Sequence, residues 1–266
     1  GYYKENYEKP NQAYYEHKNK RILPIGLYNI LEENDLRKCF IGTTSSHKVP
    51  SFLKVGKELI QFLGLYIAEG WLFDYQSYGV CFCLNKNEIE LINMIKTAAK
   101  NCFNLETYID PPQENGIKVR VDGLILWLIM KEVIKVKKGA REKKVPELIF
   151  NVSKELQSEF IKAWHLGDYS TTVSEELAND ISYLALFNEN IAAFYKSKPR
   201  KTYIEGREIN NRGAYYSNFY ARKADNPYPS MIPMEIFNPL NKTHMRLSNK
   251  RIERERLTGI LNEIRY

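Results

Sequence analysis

Apolar positions along this chain change period often enough to mark out its elements. Residues 57–68 are densely apolar on helical spacing and predict a helix. Tyr78–Leu84 reads as an apolar strand, and Asn87–Phe103 returns to three- and four-residue spacing through Ile89, Ile92, Ile95 and Ala99. In Ile117–Val121 the period is two, with Lys118 and Arg120 on one face and three apolar residues on the other. Glu106–Ile109 is expected to pair with it across the Pro111-Pro112 and Asn115-Gly116 turn. Leu124–Val136 predicts a further helix or helix pair, ended by the basic run Lys135–Lys144. Beyond it come a helix over Lys154–Gly167, a short strand at Thr171–Val173 and a helix over Ser174–Phe187. Ser174 reads as the cap of that helix, with Glu175 and Glu176 in its first turn. Strands follow at Ala192–Tyr195 and near Tyr215–Arg222, and a charged helix over Asn249–Ile264, capped by Ser248.

The pattern occurs twice. Val49-Pro50 opens a stretch that runs through Lys57-Glu58-Leu59 to Phe62–Gly70. Val145-Pro146 opens a similar one through Lys154-Glu155-Leu156 to Phe160–Asp168, offset by 96 residues at the Val-Pro pair and 99 from Glu69 to Asp168. A third junction, Ile232-Pro233, closes the second copy. Internal similarity of this kind argues for two related subdomains. The expected division is an N-terminal extension (1–48), a first half (49–144), a second half (145–237) and a C-terminal helical extension (238–266), with α+β halves ordered αββαββα.

Composition narrows the class. The chain has 266 residues, 44% of them hydrophobic and 27% charged, which excludes a disordered or collagen-like chain. The longest apolar runs, Phe62–Ala68 and Leu124–Met130, are far short of the ~20 residues a transmembrane helix needs. A soluble, intracellular protein of a prokaryote or archaeon is expected, with no membrane partner. Of the four cysteines, Cys39, Cys81, Cys83 and Cys102, none form a C-x-x-C pair, so buried thiols are expected rather than a zinc site. The +7 net charge permits a nucleic-acid partner, and 19 tyrosines, many beside Lys or Arg, suit a half-wet surface that meets phosphate.

The chemistry lies in two stripes of small residues. Gly64 and Ala68 stand four apart, as do Ala163 and Gly167. Stripes of this kind let helix backbones approach closely. Each is followed at once by an acid, Glu69 or Asp168, at the disfavoured C-terminal end of its helix. If the stripes pack on each other, the carboxylates meet, and an oxygen-only pair of that kind suits Mg²⁺ (Mn²⁺ as a substitute) acting on a phosphate.

Phe62–Gly70 and Phe160–Ser170 resemble the two motifs of the LAGLIDADG homing endonucleases, of the dodecapeptide type found in inteins. Lys143–Phe150 resembles the lysine-containing block before the second motif, and Glu176–Phe187 into Ile191–Tyr195 the helix-strand block after it, so the likeness spans 49–237. The resemblance implies a pseudo-symmetric monomer with two αββαββα halves, a central two-helix interface made by Gly64, Ala68, Ala163 and Gly167, and antiparallel sheets forming a saddle on DNA. It implies a site-specific endonuclease that cleaves both strands of a long asymmetric double-stranded target. Glu69 and Asp168 take the metal-ligand positions, and Lys143 or its neighbour Lys144 the lysine position at the scissile phosphate. DNA contacts are expected from Lys118 and Arg120 in the first half and from Lys198, Arg200, Lys201, Arg222 and Lys223 in the second.

The departures from the family pattern are specific. Tyr169 stands where the family usually has Gly, and Ser230 stands at the second lysine position. The stretch between Ser170 and Ser174 is short, and His165 reads as an interface packing residue. These departures support an alternative: a nickase, maturase or regulator that binds DNA or RNA on the same scaffold. Residue 1 is Gly and the chain ends Glu-Ile-Arg-Tyr, so no splicing half is read from it. Either a free-standing endonuclease or one taken from an intein is expected.

Overall fold

The computed structural model describes residues 1–43, 47–168, 171–188, 190–204, 207–211 and 213–221. Two helices come first, α1 (Tyr2–Asn6) and α2 (Pro10–Lys20), packed through a tyrosine cluster in which Tyr3 stacks on Tyr7 and meets Tyr14 edge-on. A 3₁₀ turn (Ile25–Ile30) and α3 (Glu33–Leu36) lead to β1 (Phe40–Ile41), which pairs antiparallel with β2 (Val49–Pro50). The N-terminal extension is thus stitched to the first half across the expected boundary at residue 48.

The first half then follows the expected order. It comprises α4 (Lys57–Glu69), β3 (Gly70–Phe73), β4 (Gly79–Asn85), α5 (Ile89–Phe103), β5 (Tyr108–Ile109), β6 (Gly116–Asp122) and α6 (Leu124–Leu128), which widens into a π turn over Ile129–Val133. The strands form one antiparallel sheet in the order β3-β4-β6-β5. Alternation fixes its faces: Val80, Phe82, Leu84, Ile117, Val119 and Val121 are buried against the helices, while Lys118 and Arg120 stand on the other face. Cys81 and Cys83 share that outer face; Cys81 is buried but Cys83 is exposed, so the expectation of a buried pair is corrected. In α5 the buried set is Leu91, Ile92, Ile95, Ala98, Ala99 and Phe103, and Ile89 in the first turn is exposed.

The second half opens with α7 (Glu147–Phe150), α8 (Lys154–Asp168), β7 (Thr171–Thr172) and α9 (Glu175–Phe187). It ends with β8 (Asn190–Lys196), β9 (Arg200–Ile204), β10 (Arg207–Asn211) and β11 (Tyr215–Ala221). Its sheet order is β7-β11-β8. The expected αββαββα order fails here: one two-residue strand separates α8 from α9, where the first half has two strands between α4 and α5. Only three residues lie between Ser170 and Ser174, too few for a hairpin, so β7 pairs directly with β11.

The β9–β10 hairpin was not read from the sequence. Its pairs, Arg200↔Asn211 to Ile204↔Arg207, keep the register of Lys196↔Tyr215 in β8–β11, although the two ladders are separate sheets. Pro199, which cannot donate to a ladder, marks the interruption. Near it, Gly213 adopts a left-handed φ of +89°, and a Cβ there would stand 2.6 Å from the Ser197 carbonyl oxygen.

The core sits between the first sheet and the helix pair α4/α8. Helix α4 is apolar all round, with Leu59, Ile60, Phe62, Leu63, Leu65, Tyr66 and Ile67 buried. Such a helix can only be central. Helix α8 is amphipathic and buries Gln157, Phe160, Ala163, Trp164 and Gly167 on one side. Among the described residues no helix is long and apolar enough to cross a membrane. The junction at Ile232, the C-terminal helix at Asn249–Ile264, and Tyr169, Arg222, Lys223 and Ser230 lie outside the described residues.

Candidate functional site

The two small-residue stripes face each other. A Cβ on Gly64 would stand 2.7 Å from the Phe160 carbonyl oxygen and 2.8 Å from Ala163 Cβ; one on Gly167 would stand 2.6 Å from Ala68 Cβ. Toward the helix starts, Gln61 donates to Glu159 at 2.7 Å, and Lys57 lies 3.3 Å from the same carboxylate. Partners therefore advance together along both helices, so α4 and α8 run side by side in the same direction and end together. The constant offset of the sequence repeat has this geometric consequence.

At that common end stand Glu69 and Asp168, each half-buried. The same Cβ on Gly167 would lie 3.4 Å from Glu69 Cγ, which puts Glu69 against the residue preceding Asp168. Burial pushes the Glu69 carboxyl up to about 7, opposed by Lys143. Burial and then the charge of Glu69 push Asp168 up to about 7, again opposed by Lys143. The pair resists double ionisation without added positive charge.

Lys143 supplies one such charge. It is 7% exposed, and its Nζ donates to the carbonyls of Tyr66 (3.3 Å) and Ala68 (3.1 Å) at the C-terminal end of α4. Both carbonyls lie in the last turn, at the negative end of the helix dipole, and that of Tyr66 also accepts from Gly70 N–H, so the ammonium adds a charge-assisted bond to each. Burial lowers the Lys143 pKa to about 8, against the upward pull of Asp168 and Glu69. Of the two adjacent lysines only Lys143 joins the acids. Lys144 points away, with Nζ 3.6 Å from Glu176, so its expected place at the site is corrected: successive residues of an extended segment face opposite ways.

Three further residues hold Lys143 in place. The Tyr66 hydroxyl donates to the Lys137 carbonyl at 3.1 Å and ties the basic segment down on α4. Ser174 Oγ donates to the Lys143 carbonyl at 2.6 Å while accepting from Leu177 N–H at 3.1 Å, so the cap of α9 also fixes the lysine's backbone. Asp180 accepts from Val145 N–H at 3.0 Å. The signal for Ser174 was visible as a cap; its second bond depends on tertiary packing. His165 is exposed, which corrects its expected role in interface packing. Its helix face turns away from α4.

The basic residues divide between two sheets. Lys118 is exposed on β6, and Arg120 lies two residues on with Nε 3.2 Å from Asp110 Oδ1. Lys198 is exposed between β8 and β9, Lys201 is exposed in β9, and Arg200 starts that strand. Lys196 at the end of β8 lies over the Tyr215 ring and 3.9 Å from Glu175. Glu69 and Asp168 are the pair that could hold a divalent cation. Among the described residues no cluster of three or more His, Cys, Asp or Glu is placed to enclose one. Mg²⁺ commonly takes one or two carboxylates and fills its remaining positions with water and substrate phosphate, so this hard-oxygen pair fits it.

No family model matches the chain. It is 32% identical over 186 residues to the DNA polymerase II large subunit of Thermococcus kodakarensis, covering 64% of this chain and 10% of that protein. An uncharacterized protein of Methanocaldococcus jannaschii is 27% identical over 165 residues, 61% of this chain and 21% of its own length. The chain thus spans about a tenth to a fifth of these relatives. Among solved structures it is similar to the homing endonuclease I-DmoI: to mesophilic variants with a TM-score of 0.45 and 14% identity over 62% of this chain and 89% of that one. To I-DmoI in complex with DNA and Ca the TM-score is 0.43, with 12% identity over 62% and 84% of the two chains.

Proposed function

We propose that this chain is a LAGLIDADG-type homing endonuclease, borne within a larger host polypeptide as an intein, that cuts double-stranded DNA at a long asymmetric site. The observation that carries the reading is the meeting of Glu69, Asp168 and Lys143 at the common end of two helices packed through Gly64, Ala68, Ala163 and Gly167. The match to about a tenth of a DNA polymerase subunit supports an inserted element rather than a polymerase domain.

In this reading Glu69 and Asp168 hold Mg²⁺, or Mn²⁺ in its place. Bound there, the cation supplies Lewis-acid polarisation of a phosphodiester. Lys143 opposes protonation of the two carboxylates and sets positive charge beside the place where a phosphate would enter. The two acids descend from equivalent helix positions, so each faces one strand of an antiparallel duplex. Lys118 and Arg120 on one sheet, and Lys198, Arg200 and Lys201 with Arg222 and Lys223 on the other, meet the duplex on either side.

The test is cleavage of a plasmid library carrying candidate insertion sites, including intein-free polymerase genes, with Mg²⁺. Double-strand cuts abolished by Glu69→Gln and by Asp168→Asn support the proposal. Sequence-specific retention of DNA with neither cut nor nick under Mg²⁺ or Mn²⁺ would overturn it in favour of a binding protein. Nicks alone would select the weakened enzyme, which the single Lys143 and the lysine-to-serine departure at Ser230 favour.

A further inference from the structure

The outer face of the first sheet carries a charge arrangement that differs from a plain basic surface. Arg120 sits in a row across all four strands, opposite Tyr108 on β5 and Cys81 on β4, with Trp71 on β3 beyond Cys81. Asp110 continues β5 by one more residue, and its N–H donates to the Lys118 carbonyl at 2.9 Å. That bond places Asp110 opposite Lys118 and diagonal to Arg120, on the same face as both. Its Oδ1 lies 3.2 Å from Arg120 Nε as an ion pair rather than an aligned hydrogen bond, since the Nε itself is buried with no hydrogen-bond partner, although both side chains are a little over one-third exposed. The acid therefore sits by charge against the inner side of the guanidinium, and the Nη1/Nη2 edge remains as a fork for another acceptor. An acid on a surface meant only for phosphate would weaken binding. Its value lies in fixing the orientation of an arginine that must present a planar, bidentate edge.

Resting on the reading of this chain as a DNA-binding nuclease, we propose that Asp110 and Arg120 form one specificity unit: Asp110 orients Arg120 to read a guanine through its O6 and N7 in the major groove, while Lys118 holds the neighbouring backbone. Guanine is the base whose major-groove edge offers two acceptors matched to that fork. Asp110 is a positioning residue here and touches no base.

Selection from a randomised duplex library tests this, in an Asp168→Asn background that keeps retained DNA uncut. The parent should yield a site with one guanine preferred about 5- to 150-fold over other bases, the span expected of one bidentate pair. Arg120→Ala should abolish that single preference, and Arg120→Lys should reduce it while keeping affinity for other positions. Asp110→Asn should flatten the same position several-fold without weakening overall binding, a pattern that a merely structural role would not give. An unchanged preference at every position in Arg120→Ala overturns the proposal, as does a uniform loss across all sequences in Asp110→Asn. Failure of the parent to enrich any sequence counts against the nuclease reading itself, and is distinguishable from either result.

Discussion

Gly64→Ala is the smallest change that asks whether helix contact sets the position of the two acids. The added methyl would stand 2.7 Å from the Phe160 carbonyl oxygen, 2.8 Å from Ala163 Cβ and 3.1 Å from the Trp164 backbone nitrogen. Carbon–oxygen contacts begin near ~3.3 Å and carbon–carbon contacts near ~3.5 Å, so the helices must part by roughly 0.6 Å or more. None of the three obstacles is the far end of a flexible side chain. Overpacking of this kind costs about 1–3 kcal/mol. At ~2–4 °C per kcal/mol for a chain of this size, Tm should fall by about 4–8 °C for a cost near the middle of that range. Cleavage should fall further, because a displacement approaching 1 Å at a reacting group can cost ~100-fold. Thermal unfolding followed by circular dichroism gives the first number and plasmid cleavage the second. Adding Ala163→Gly removes one of the three obstacles and should restore part of the Tm, while the Phe160 carbonyl keeps the recovery incomplete. A Gly64→Ala protein that melts and cuts like its parent would refute the whole account of the interface.

Two further outcomes follow from the surroundings of Lys143. The folded-state values of Glu69 and Asp168 are raised, so their contribution to stability is fully present below the ordinary carboxylate range and is lost as pH rises through about 7. Lys143 is lowered, so its contribution is lost as pH falls from the ordinary lysine range to about 8. Metal-free protein should therefore show a stability minimum between about pH 7 and 8, with the acid limb contributing on the order of 2 kcal/mol after allowance for partial exposure. Added Mg²⁺ should fill the minimum in, and Lys143→Met should move the acid limb to higher pH; a flat Tm profile in EDTA from pH 5 to 9, on the scale set by these shifts, would count against the buried triad. Ser174→Ala strips a helix cap and leaves the Lys143 carbonyl unpaired in a buried place, an expected loss of about 2–4 kcal/mol in urea unfolding. A loss under about 1 kcal/mol would mean that Ser174 caps α9 without holding Lys143.

What the sequence made legible is what local chemistry dictates. Small residues four apart, an acid after each stripe and a strict alternation at Ile117–Val121 follow from helix and strand periods, and the structure places those residues on the faces that the periods imply. Lys143 and Lys144 could not be separated by pattern, because which lysine turns inward depends on how the segment before α7 crosses the end of α4. The second bond of Ser174 and the diagonal contact of Asp110 are likewise tertiary. Each joins residues whose separation in sequence carries no period, 31 in the first case and 10 in the second.

The two halves differ where their geometry leaves them free. Along α4 and α8 the offset of 98 to 99 residues holds from Gln61 and Glu159 to Glu69 and Asp168, because each step must match a partner at close backbone approach. Outside that contact the constraint lapses. One half keeps four strands and closes its outer face with an acid–arginine pair; the other drops a strand and adds a separate hairpin that keeps the register from Lys196↔Tyr215 to Ile204↔Arg207. A duplex has near-twofold symmetry in its backbone but not in its base sequence. On the proposed reading, matched helices under unlike sheets would answer to both features: the acids would need equivalent approaches to two strands, and surfaces meeting the bases would need no equivalence at all.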